Sequence, residues 1–92
     1  MVVAVEQAEA VALRALAFLA GDEERFHRFL LSTGATAEDV RRRAGDPDFL
    51  SGVIDHLLTD DALLVAFAED AALQPSAVVA ARRLLPGVAP DQ

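Results

Sequence analysis

The stretch Asp46-Pro47-Asp48-Phe49-Leu50-Ser51-Gly52-Val53-Ile54-Asp55-His56-Leu57-Leu58 decides the fold. Its apolar residues Phe49, Leu50, Val53, Ile54, Leu57 and Leu58 recur at intervals of three and four, the period of one helix face. Asp46 stands where an N-cap is wanted, and Pro47 follows in the first turn, where its missing N–H costs nothing. This segment is expected to be the core helix.

Upstream, Thr36-x-x-Asp39 is a near capping box, with Asp where Glu or Gln is preferred. It opens a short helix carrying Val40 inward and Arg41, Arg42 and Arg43 mostly outward, closed by Gly45. Before it, Asp22-Glu23-Glu24 sets carboxylates at the positive end of a helix whose Phe26, Phe29 and Leu30 share a face until Gly34 ends it. Glu24 and Arg28 are spaced to pair on its wet side. The first helix spans about Glu6 to Ala20, with Val11, Ala15, Phe18 and Leu19 near helical spacing and Gly21 as its stop. Downstream, Thr59, Asp60 and Asp61 start a fifth helix with Leu63, Leu64 and Phe67. Pro75 starts a sixth with Val78, Val79 and Leu84, which Pro86-Gly87 stops. The prediction is an all-α chain, a compact bundle of about six short helices forming one domain over residues 1–92, with 1–5 and 87–92 as frayed ends.

Asp22 and Asp60 stand 38 positions apart, and the same offset superimposes Leu16 on Ile54, Leu19 on Leu57, Phe26 on Leu64, Phe29 on Phe67, Ala35 on Leu73 and Val40 on Val78. Caps and core coincide. The pattern reads as a weak internal duplication, two three-helix units over about 6–45 and 46–86, packed face to face around helices one and four.

With 92 residues, there is no room for a catalytic domain beside a substrate domain. Hydrophobic residues make up 53% and charged ones 25%, enough to bury a core and too ordered a balance for intrinsic disorder. The absence of cysteine excludes disulfides, thiolate catalysis and Cys-ligated metal. All eight basic residues are Arg, so Schiff-base catalysis and a lysine-bearing phosphate loop are excluded as well. Met1-Val2-Val3-Ala4-Val5 lacks the positive region and the length of a signal peptide, and no apolar run reaches the roughly 18 residues of a membrane span. A soluble, cytoplasmic protein with no membrane partner is expected.

The segment Phe29 to Val40 has the turn glycine and later packing valine of a helix-turn-helix. Its third helix, however, begins with Glu38 and Asp39 rather than the basic or amide side chains that read DNA. A net charge of −7 adds repulsion from a polyanion. The run Arg41, Arg42, Arg43 and the pair Arg82, Arg83 would form one basic face if the two units pack as inferred. That face would suit an acidic partner or a phosphate group by bidentate hydrogen bonds. His27 lies four residues after Glu23 and His56 four before Asp60, each a two-residue clip short of the three or four ligands of a zinc site. The acidic pairs Asp60-Asp61 and Asp46/Asp48 sit at helix starts, where capping explains them. Ser32, Ser51 and Ser76 lack a nucleophile-elbow context, so no catalytic residue, metal or cofactor is expected.

Leu16-Ala17-Phe18-Leu19, Arg28-Phe29, Thr33-Gly34, Glu38-Asp39-Val40-Arg41, Phe49-Leu50, Asp55-His56-Leu57-Leu58 and Leu64-x-x-Phe67-Ala68 resemble a family of small bacterial proteins, domain-of-unknown-function family 3572. The likeness covers about Ala15 to Leu85 and implies a short all-helical cytoplasmic protein; it carries over no catalytic or binding residue. The family pattern favours a bulkier apolar residue and a proline after Gly34, where this chain has Ala35 and Ala37. Its second unit keeps that form in Leu73-Gln74-Pro75.

The leading expectation is a non-enzymatic interaction module acting through a protein partner or as a homodimer. The alternative is a helix-turn-helix-like regulator that touches nucleic acid. A small enzyme or ligand carrier would instead show a pocket between the units where His56 and carboxylates converge.

Overall fold

Helix boundaries in the computed structural model, which describes residues 3–87, fall where side chains satisfy the amides that a helix start leaves orphaned. The described residues form six α-helices and no strand: α1 (Val3–Ala20), α2 (Glu23–Thr33), α3 (Ala37–Arg43), α4 (Pro47–Leu58), α5 (Asp61–Ala71) and α6 (Pro75–Arg83). Asp22 opens α2 by accepting from the Arg25 amide, and Asp60 opens α5 by accepting from that of Leu63. At α3 the Thr36 hydroxyl and the Asp39 carboxylate accept from each other's backbone amides, both at 3.0 Å, so Asp completes the capping box. Asp46 accepts from the Asp48 amide at the start of α4, with Pro47 in the first turn.

α1 begins at Val3 rather than near Glu6. Of the expected frayed ends, residues 1–2 and 88–92 lie outside the described residues. At the other side of two helices the backbone turns left-handed, at Gly34 after α2 (φ 77°) and at Ala72 after α5 (φ 58°). Glycine adopts that conformation freely, whereas the Cβ of Ala72 meets its neighbouring carbonyl at a cost of about 1–2 kcal/mol.

α1 and α4 form the most extensive helix pairing and carry the centre of the core. Ala8, Ala12, Ala15, Leu16 and Leu19 of the first cluster with Leu50, Val53, Ile54 and Leu57 of the second. Small alanines on α1 leave room for the larger side chains of α4. Phe29 and Phe67 are fully buried, Phe29 edge-on to Phe49 at 6.1 Å and Phe67 tilted against Phe18 at 5.6 Å.

The 38-residue relation extends to burial. Leu16 and Ile54, Leu19 and Leu57, Phe29 and Phe67, and Val40 and Val78 are buried in both halves; Phe26 and Leu64, and Ala35 and Leu73, are half-buried in both. The left-handed residues Gly34 and Ala72 stand at the same offset. Packing follows suit for two helices of each half, since α1 meets α5 as α4 meets α2. It diverges at the third: α6 packs on α1, α4 and α5, whereas α3 touches other helices only in passing and sends Val40 alone into the core.

Leu84, expected on the inner face of the sixth helix, is 45% exposed, and Leu85 takes the core position at 5%. Leu85 continues the face of Val78, Ala81 and Arg82 at helical spacing, and Leu84 falls off that face. Among the described residues no single helix is long and apolar enough to cross a membrane.

Candidate functional site

The five arginines singled out by sequence do not form one face. On α3, Arg41 pairs with Glu38 at 3.0 Å and Arg42 with Asp39 at 2.9 Å, each one turn back on the exposed surface. Arg43 lies 3.6 Å from Asp46, with its guanidinium 5.4 Å from the Phe49 ring centroid. Such exposed pairs contribute only about 0.2–0.5 kcal/mol each, yet they neutralise the run that a polyanion would need. Asp39 is held below the usual carboxylate range, chiefly by the Thr36 amide, with Arg42 adding to it. The start of α3 thus presents Glu38 and Asp39, both already engaged.

Arg82 is turned inward. Its side chain is 3% exposed, and Nε and Nη2 donate to the two carboxylate oxygens of Asp55. Nη1 donates to the carbonyls of Leu85 (3.4 Å) and Pro86 (3.1 Å). The Ser51 hydroxyl lies 2.8 Å from the Pro86 carbonyl and 3.1 Å from that of Pro47. Ser51 and Asp55, one turn apart on α4, therefore fasten the end of α6, and Arg82 is a strut rather than a docking group. Arg83 alone of this pair is exposed. The spacing Val78, Ala81, Arg82, Leu85 is one helix face and was the signal for it. Nothing local announced Asp55, which lies 27 residues away. Sequence reasoning also missed Arg14, whose Nη2 donates to the Ala71 carbonyl at 3.0 Å and ties α1 to the end of α5.

His27 is exposed and makes no hydrogen bond or ion pair with Glu23 among the described residues. His56 is different. It lines an open cleft of about 250 Å³ between the two halves, with Arg25 and Arg28 of α2 on one side and Asp60, Leu63 and Ala66 on the other. Its ring stands edge-on to Phe29 at 5.3 Å, and its Nδ1 is buried with no hydrogen-bond partner. Burial lowers its pKa below the usual 6.5, partly offset by the charge of Asp60. Arg25 stacks on Phe18, its guanidinium carbon 4.4 Å from the ring centroid, and Arg28 pairs with Glu24 at 2.9 Å. The cleft brings together one histidine, one carboxylate and two guanidinium groups. No three His, Asp or Glu side chains converge as metal ligands among the described residues.

A second depression, of about 240 Å³, runs between α1 and α6 and is lined mostly by apolar side chains, with Gln7 among them. Ala4, Ala8 and Val11 form one wall and Ala77, Ala80 and Leu84 the other, and no charged side chain among the described residues lines it. Leu84, displaced from the core, is a rim residue here. Elsewhere the surface is acidic: Glu6, Glu23, Asp61, Glu69 and Asp70 are exposed and make no ion pair among the described residues.

No curated protein and no solved structure matches the chain. The helix caps, the paired Phe29 and Phe67 cores and the Asp55-His56-Leu57-Leu58 segment all lie within residues 5–88, which match one family model, and the chain belongs to that family, described as protein of unknown function (DUF3572).

Proposed function

We propose that the chain is a non-enzymatic, cytoplasmic protein-interaction module whose α1–α6 groove takes a basic amphipathic helix of another protein. The groove carries this reading: it is open, apolar and uncharged, the surface into which an amphipathic helix lays its apolar face. Charge chooses among occupants. The chain carries −7, and its arginines are largely engaged internally, so a basic partner is attracted while a second copy is repelled. Small secreted domains commonly use disulfides as staples, and the absence of cysteine suits a reducing compartment.

The test titrates a short amphipathic peptide of leucine and lysine into the isotopically labelled protein, followed by amide NMR. Shifts should centre on Ala8, Val11, Ala77 and Leu84. Ala80→Glu, at an exposed wall position, should weaken binding by about tenfold or more, since a charge in the contact costs at least about 1.4 kcal/mol. That substitution makes the chain still more acidic, so attraction by overall charge alone would hold or rise, and such a result would overturn the groove as the site. A concentration-dependent dimer abolished by Ala80→Glu would instead assign the groove to a second copy.

A further inference from the structure

We propose that the cleft between α2 and α5 binds the phosphate group of a small soluble phosphomonoester. Its donors come from two separate elements. The Arg25 guanidinium stacks on Phe18 and makes no hydrogen bond among the described residues, so its N–H edge is unspent and its plane is already fixed. Arg28 spends one Nη2 contact on Glu24 out of five available N–H groups. From α4, His56 adds a third donor. Its pKa is lowered by burial, so the ring is neutral near pH 7 and carries one proton. Nδ1 is sealed from solvent with no partner. A buried N–H left unmet costs more than a bare lone pair, which places the proton on Nε2, the nitrogen left to meet the cleft.

Two guanidinium groups and an imidazole N–H on different walls suit a tetrahedral oxyanion with three free oxygens better than a planar carboxylate with two. The charged groups around the site are Arg25, Arg28 and Glu24 of α2, Asp60 with Asp61 at the start of α5, and Asp22 and Asp70, which line the adjoining depression where Arg25 meets Phe18. Asp60 is committed through one oxygen to the Leu63 amide. Its charge steers the anion towards α2. The cleft, at about 250 Å³, exceeds a phosphate alone, and Leu63 and Ala66 give an apolar wall for a short organic group. Binding here is separate from the α1–α6 groove, so the two readings stand or fall independently.

The probes are glycerol 3-phosphate and inorganic phosphate, titrated at constant ionic strength against sodium chloride while the His56 ring resonances are followed by NMR. Exposed His27, on the same α2, is the internal control. The expected result is a saturable shift of His56 with a rise in its pKa, while His27 follows the chloride reference. Arg28→Gln, at a side chain 70% exposed, should leave the fold intact and weaken binding by about tenfold, the equivalent of one charge-assisted hydrogen bond at about 1.5 kcal/mol. Arg25→Gln with Arg28→Gln should abolish it. Equal shifts of both histidines, shifts reproduced by chloride, or unchanged affinity in Arg28→Gln would overturn the proposal. So would sedimentation with phosphatidate vesicles in the absence of any response to glycerol 3-phosphate, which would move the phosphate source to a lipid surface.

Discussion

Asp55 and Arg82 share one contact but not one environment, and substitution of either partner reads the difference. The Arg82 side chain is 3% exposed and that of Asp55 33%. Asp55→Ala strips the carboxylate from a guanidinium sealed in the bundle, a change that costs about 3–5 kcal/mol when a buried charge loses its counter-ion. Arg82→Met keeps most of the alkyl volume and leaves a carboxylate that water already reaches, so about 1–2 kcal/mol is expected, the range for lost hydrogen bonds. The double variant should cost little more than Arg82→Met alone, because the buried charge that Asp55→Ala deprives of this carboxylate is then absent. Against a total stability of about 5–14 kcal/mol for a domain of this length, Asp55→Ala removes a large share. The chain has neither Trp nor Tyr, so urea unfolding must be followed by far-ultraviolet circular dichroism rather than intrinsic fluorescence. Asp55→Ala costing less than Arg82→Met, or strictly additive costs in the double variant, would refute the reasoning.

Ala72→Gly should stabilise the protein by about 0.5–1 kcal/mol, because strain at a left-handed alanine exceeds the added freedom of the unfolded chain. Gly34→Ala, where an added Cβ meets nothing within 4 Å, should destabilise by a similar amount through backbone strain alone; chemical denaturation midpoints read both signs. Phe29→Ala and Phe67→Ala should each cost about 3–5 kcal/mol, and melts within about 0.5 kcal/mol of the parent would remove those rings from the core. His56 has a folded-state pKa below the unfolded 6.5, so the unfolded chain binds more protons between the two values. Its contribution is therefore complete above about pH 6.5 and lost as pH falls from there through the folded value. Urea midpoints in phosphate-free buffer at about pH 7.5 and 5.5 should show that loss, and His56→Phe should flatten it; a slope surviving the substitution belongs to another group.

The fold was largely legible because its signals are local. A cap three residues from the amide it serves, as at Asp22 or Asp60, lies within one turn of chain, and the face of α4 repeats inside twelve residues. Arg41 to Arg43 illustrate where composition misleads: a run of like charges reads as an open basic face, but Glu38, Asp39 and Asp46 answer it at i±3. Arg82 illustrates the opposite case. Its charge suggested a surface, while its register with Val78 and Leu85 already placed it inside. The cleft at His56 and the groove at Ala80 are made by helices distant in sequence, α2 with α5 and α1 with α6. No spacing rule encodes such meetings. Leu84 is exposed because it lies off the face that Val78, Ala81, Arg82 and Leu85 share, a register that spacing from Val78 alone would have given.

The isolation of α3 sets a hierarchy of opening. Its capping box and exposed ion pairs lie within the segment or just beyond it, and Val40 is its one deep attachment. Unfastening it exposes little apolar surface, so its amides should exchange with solvent well below the free energy that releases α1, α4 or α6. The counterpart in the second half has no such independence, since α6 is held by Asp55, Ser51 and the core together. Two halves alike in their first two helices should therefore open differently, the second only with the whole and the first through its third helix alone, which makes residues 34–46 the expected place for a protease to nick or an inserted sequence to be tolerated.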